Sequence, residues 1–116
     1  VKDFRTLNVW EKSHTLTLDV YKATNSFPKE EVFGLTSQFR RAASSIGLNI
    51  SEGCGRGSDA DFKRFLQMAF GSACEVEYCI ILSSDLNYMS EEQRSIFKNK
   101  IEEIKMMLAS LINKLK

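Results

Sequence analysis

Residues 42–58 read AASSIGLNISEGCGRGS, and this stretch decides the fold. Ala42, Ala43, Ile46 and Ile50 recur at three- and four-residue spacing, the mark of one buried helix face. Glycine then occupies every second position from 53 to 57. The expectation is a helix stop and a tight turn in which Gly53, Gly55 and Gly57 supply positive φ, with Arg56 folding back onto Glu52. Ser58 opens a new helix and puts Asp59 and Asp61 in its first turn, where the helix dipole favours negative charge. The stretch is therefore a hairpin between two antiparallel helices.

The same periodicity extends outward in both directions. Upstream, Val32, Leu35 and Phe39 continue the apolar stripe of the hairpin's first helix, and downstream Phe62, Phe65, Leu66, Ala69, Ala73, Val76 and Ile80 form that of its second. An earlier helix carries Val9, Leu16, Val20, Ala23 and Phe27 on one side, with Asn8 as its expected cap and Pro28 as its stop. Ser90 and Gln93 form a capping-box pair before a last helix. Its stripe alternates four and three through Phe97, Ile101, Ile104, Leu108, Leu111 and Leu115. No segment alternates with period two. The fold class predicted is all-α, an antiparallel up-down-up-down four-helix bundle. It takes residues 1–116 as one domain, with residues 1–7 as a loosely held N-terminal arm that Phe4 and Leu7 could tie down.

Composition narrows the function classes. Hydrophobic residues at 43% and charged ones at 27% are ordinary for a globular chain. Sixteen basic and 15 acidic side chains leave a formal net charge of +1, so an anionic partner needs a local patch. Cys54, Cys74 and Cys79 are odd in number and lack C-x-x-C spacing, which fits reduced thiols in a cytoplasmic protein. No cationic stretch leads into an apolar signal segment, and no apolar run is read as approaching the roughly 20 residues that span a bilayer. The expectation is no membrane partner.

The faces turned away from the core carry more information. Opposite the core stripe of the second helix lie Ser37, Arg41, Ser44, Ser45, Leu48 and Glu52. Opposite that of the third lie Arg64, Met68, Gly71, Glu75, Tyr78 and Leu82. A helix bathed in water normally shows mixed Lys and Glu there. Gly71 inside a helix costs about 1 kcal/mol relative to Ala, a cost that close approach of another helix would explain. The expected oligomer interface comprises Arg41, Ser44, Leu48, Arg64, Gly71, Glu75, Tyr78 and Leu82.

No catalytic set, metal-ligand set or cofactor motif emerges. GCGRGS resembles a phosphate loop only superficially, because no strand precedes it, the Walker lysine is missing, and Asp59 and Asp61 hold the helix start. His14 is the sole histidine and lacks converging ligands, so packing beside Trp10, Thr17 and Tyr21 is the simpler role. The serines have no neighbouring base, and Asn49-Ile50-Ser51 on a helix is a chance glycosylation match. Arg40, Arg41, Lys63 and Arg64 are candidates for a nucleic-acid patch. The competing reading pairs Arg41 or Arg64 with Glu52 or Glu75.

Taken together, LxVWxKS at residues 7–13, Phe27-Pro28, GLTSQFRRAASSIGLNISEGCGRGS at 34–58 and DFKRFLQMAFGSACE at 61–75 resemble the 23S rRNA intervening-sequence proteins, a four-helix-bundle family. Cys54 and Gly47 depart from the usual residues without disturbing the pattern. The family name records a gene location and no activity. The resemblance implies a cyclic homo-oligomer, typically a pentamer. It also extends to the accessory protein of diversity-generating retroelements, which works with a reverse transcriptase and nucleic acid. The function expected is a non-enzymatic homo-oligomeric scaffold whose partners include RNA or a nucleic-acid-processing protein. The alternative is an oligomer with a structural or protein-interaction role that binds no nucleic acid.

Overall fold

The structure, a computed structural model, describes residues 3–115. It contains four long helices, α1 (Asn8–Thr24), α2 (Leu35–Gly55), α3 (Asp59–Asp85) and α4 (Glu91–Lys114), and no strand among those residues. Single 3₁₀ turns at Phe4–Thr6 and Lys29–Glu31 precede α1 and α2. Each helix packs on its sequence neighbour and α1 closes on α4, while the diagonal pairs make no close backbone approach. This is the up-down-up-down bundle, 43 × 24 × 20 Å. Its long dimension is that of α3, whose 27 residues span about 40 Å.

The apolar stripes meet along the bundle axis. Leu16, Phe39, Ile46, Ile50, Leu66, Val76, Ile101, Ile104 and Leu108 are fully buried, each worth roughly 1.5–3 kcal/mol relative to exposure. Ala42 and Ala43 of α2 and Ala69 and Ala73 of α3 are buried, and this pair forms the most extensive helix contact. Lys100 with Asp19 (2.6 Å) and Lys105 with Glu77 (2.8 Å) tie α4 to α1 and α3 across its flanks. Residues 1 and 2 of the arm lie outside the described residues; Phe4 and Leu7 pack against the core, and the Phe4 ring meets Trp10 edge-on at 5.0 Å.

Both predicted caps downstream are present. Ser58 Oγ accepts from the Asp61 amide, and Ser90 and Gln93 complete a reciprocal capping box. Other local expectations need correction. Asn8 is the first helical residue, and the capping position belongs to Leu7, whose carbonyl takes the Trp10 and Glu11 amides. Val32 is not on the α2 stripe. The 3₁₀ turn after Pro28 delays the helix to Leu35, whose amide donates to Glu31 Oε1 at 3.0 Å, and leaves Val32 half-exposed. Leu111 and Leu115 are only partly buried.

The glycine-rich hairpin is built differently from the expectation. No described glycine has positive φ, and α2 continues through Gly55, so only Arg56 to Ser58 form the turn. Gly53 is required for close approach: a Cβ there would lie 2.9 Å from Phe65 Cβ and 3.1 Å from Phe62 Cδ1. Gly55 and Gly57 face open space. The left-handed residue is Asn87 (φ 64°), just beyond α3, where the Tyr88 amide reaches back to the Ser83 carbonyl at 2.8 Å. α3 also qualifies, by length and mean hydropathy of 1.3 over 18 residues, as long and apolar enough to cross a membrane, contrary to the sequence expectation. Its apolar stripe is the wall of the bundle core, a placement that produces the same composition.

Candidate subunit interface and cationic cleft

The outer faces of α2 and α3 present the expected residues to solvent. Leu48 is 66% exposed, Tyr78 61% and Met68 46%, with Arg41, Glu52, Arg64, Gly71 and Glu75 also exposed. Ser44 and Ser45 are intermediate. Leu82 departs from the group, since it packs partly against the core. A Cβ on Gly71 would meet nothing within 4 Å, so no neighbour inside the chain accounts for glycine at this helix position. Beside the stripe a groove of about 280 Å³ runs between α2 and α3, lined by Leu35, Gln38, Cys74, Glu75, Tyr78, Cys79 and Leu82. Burial, followed by the charge of Glu75, pushes the Cys79 thiol up to about 11, which keeps it protonated and unreactive. Cys74 on the same helix is exposed.

The four candidate cations do not form one patch. Arg41 lies 14 residues before the end of α2, and Arg64 lies 5 residues after the start of α3. At roughly 1.5 Å per residue, the two are staggered by about 14 Å along the antiparallel pair. Near the hairpin, Arg64 pairs with Asp61 at 3.7 Å, whereas the ion-pair expectation named Glu52 or Glu75. It shares the Phe65 ring with Arg56, the two guanidinium carbons standing 4.6 and 4.9 Å from its centroid. Arg56 itself holds Glu52 at 2.8 Å, as expected for the turn. Lys63 is half-buried beside them on α3. His14 stacks on Trp10 with 5.1 Å between centroids, a packing role. Among the described residues no group of three His, Cys, Asp or Glu side chains could hold a metal ion.

At the other end Arg40 and Arg41 enter a cleft of about 570 Å³ between the end of α1 and the start of α2. Arg40 is committed to structure. Its Nε donates to Thr24 Oγ1 at 2.8 Å, and its Nη2 donates to Asn25 Oδ1 at 3.1 Å and the Tyr21 carbonyl at 3.3 Å. Its guanidinium also covers the Tyr21 ring at 4.7 Å. It thus neutralises the carbonyl end of α1. Arg41 remains exposed, with no side-chain partner among the described residues. Lys29, Thr36 and Ser37 complete the cationic and polar wall, and no carboxylate lines it. Sequence reasoning did not connect Lys29 or Thr36 with the arginines. The available signal was the Leu-Thr-Ser start of α2, which carries hydroxyls and no acid in the first turn.

One exposed residue also went unnoticed. Phe33, in the connection before Gly34, is 98% exposed and touches none of the core aromatics.

The family model of the 23S rRNA-intervening sequence protein matches residues 5–110. The chain belongs to this family. The match spans α1 to α3 and most of α4. A protein of unknown function from the S23 ribosomal protein family of Bacteroides thetaiotaomicron VPI-5482, with a crystal structure at 1.70 Å, is similar at 30% identity. The TM-score is 0.83, covering 90% of this chain and 95% of that one. Neither similarity names a reaction. No functionally curated protein matches the chain.

Proposed function

We propose that this intervening-sequence protein is the subunit of a homo-oligomeric scaffold that catalyses no reaction and acts in the cytoplasm. Its assembly is a ring, five subunits being the number the family resemblance implies, and its partner is RNA or a nucleic-acid-processing protein. The observation that carries the reading is the α2–α3 outer face. Leu48, Met68 and Tyr78 stand in water around a helical glycine that no part of its own chain approaches. Burying such side chains against a second copy stabilises association, and glycine allows helices to approach closely. The carboxylate-free cleft supports an anionic partner. Repetition around a ring would turn one modest cationic site into a basic surface that a net charge of +1 per chain conceals.

Light scattering on a sizing column tests this directly. The expected mass is five times the 13.2 kDa of the chain, and Gly71→Arg should reduce it to one chain with helix content unchanged. A monomeric wild-type chain at high micromolar concentration would refute the proposal. A second reading, an assembly that meets only protein partners, is favoured by the exposed Phe33 and the near-neutral charge. Added structured RNA that fails to shift the assembly at low salt would select it, since phosphate contacts are strongest there.

A further inference from the structure

The cleft between α1 and α2 is chemically one-sided. Lys29, Arg40 and Arg41 supply three cations, Thr36, Ser37 and Ser44 supply hydroxyls, and no acidic side chain reaches the wall. Thr36 adds an independent observation. It is only 7% exposed, it lines the cleft, and its hydroxyl has no hydrogen-bond partner among the described residues. Its oxygen is not one of the buried unpartnered atoms, which are those of Ser83 and Ser84, so it is open to solvent and available to a group inside the cleft.

The backbone adds donors at the same place. At the start of α2 the Leu35 amide is taken by Glu31 and the Gln38 amide by the Gly34 carbonyl, while the amides of Thr36 and Ser37 make no bond. The positive end of a 21-residue helix therefore lies at the cleft wall. Glu31, the carboxylate just before the helix, caps the Leu35 amide but does not line the cleft. Its two oxygens are held by the Leu35 amide and, at 3.0 Å, by the Tyr88 hydroxyl, outside the wall.

We infer that this cleft is a phosphate-binding site. Arg41 and Lys29 provide the mobile charges, Thr36 and Ser37 the hydrogen bonds, and Arg40 a cation already fixed in the rear wall. A free phosphate compound and the backbone of RNA offer the same group. The RNA case rests on the nucleic-acid reading above, and the free-phosphate case stands without it.

Titration calorimetry of the full chain with inorganic phosphate, at constant ionic strength, should show one saturable site per chain. Arg41→Ala and Lys29→Ala should each weaken binding about tenfold, as expected for loss of a charge-assisted contact. Thr36→Val, which keeps the volume and removes the hydroxyl, should weaken it about fivefold. Arg56→Ala, at the far end of α2, should leave it unchanged. Absence of saturable binding, or equal weakening by Arg41→Ala and Arg56→Ala, would overturn the site. A short single-stranded RNA distinguishes the sources: competition with phosphate assigns the site to the nucleic-acid backbone. Phosphate binding without competition retains the site and removes RNA from it. RNA bound equally by wild type and Arg41→Ala, with no phosphate site, overturns this inference and leaves nucleic-acid binding elsewhere on the protein.

Discussion

Gly71→Ala separates a chain that stands alone from one that meets a neighbour. The residue lies deep inside α3, and its new Cβ would meet nothing within 4 Å in the chain. No strain offsets the helix-propensity gain, so the isolated chain should gain about 1 kcal/mol. For 116 residues that corresponds to a rise in Tm of about 4 °C. Where a second helix packs on this face, the added methyl costs about 1–3 kcal/mol of overpacking at the contact. The sign of the effect should therefore depend on chain concentration, as the stability of any assembled state does. Urea denaturation followed by circular dichroism should show the variant more stable than wild type in the dilute limit, with the advantage shrinking or reversing as concentration rises. An identical gain at every concentration would refute close approach at Gly71. A loss in the dilute limit would place Gly71 in the packing of its own chain.

Gly53→Ala makes the same chemical change with the opposite result. Its Cβ would stand 2.9 Å from Phe65 Cβ, an atom that moves only with the backbone, so a net loss of about 1 kcal/mol or more is expected in urea midpoints. Arg40→Ala should cost about 1–2 kcal/mol through lost hydrogen bonds to α1 and the lost Tyr21 contact. Arg41→Ala should change stability by less than about 0.5 kcal/mol in the same assay. Stability should also fall in alkali. Cys79 is raised by burial from 9.0 to about 11, Tyr88 is raised by its bond to Glu31, and Lys105 is raised by its bond to Glu77. In all three the protonated form is favoured by the fold. Their contribution is complete below the unfolded values and is lost as pH rises through the folded ones. Urea midpoints should decline from about pH 9 upward, and Cys79→Ala should remove the earliest part of that decline.

Hydrophobic spacing was sufficient for the number of helices, their order and nearly every core residue. Burial on a helix repeats every 3.6 residues, so it leaves its trace in the local sequence. Phe62, Phe65, Leu66, Ala69, Ala73, Val76 and Ile80 are all buried as that spacing requires, and Ser58 and Ser90 cap as their short-range patterns require. Contacts between distant residues leave no such trace. Arg40 meets Thr24 across 16 residues, and Glu31 meets Tyr88 across 57. Only the packed bundle decided that Arg40 would cap α1, that Arg64 would share Phe65 with Arg56, and that Lys29 and Thr36 would join Arg41 in one cleft. Gly53 shows the same division at a single position. Its residue type was conspicuous in the hairpin, yet its reason is the approach of Phe62 and Phe65 from the facing helix, which only tertiary packing creates.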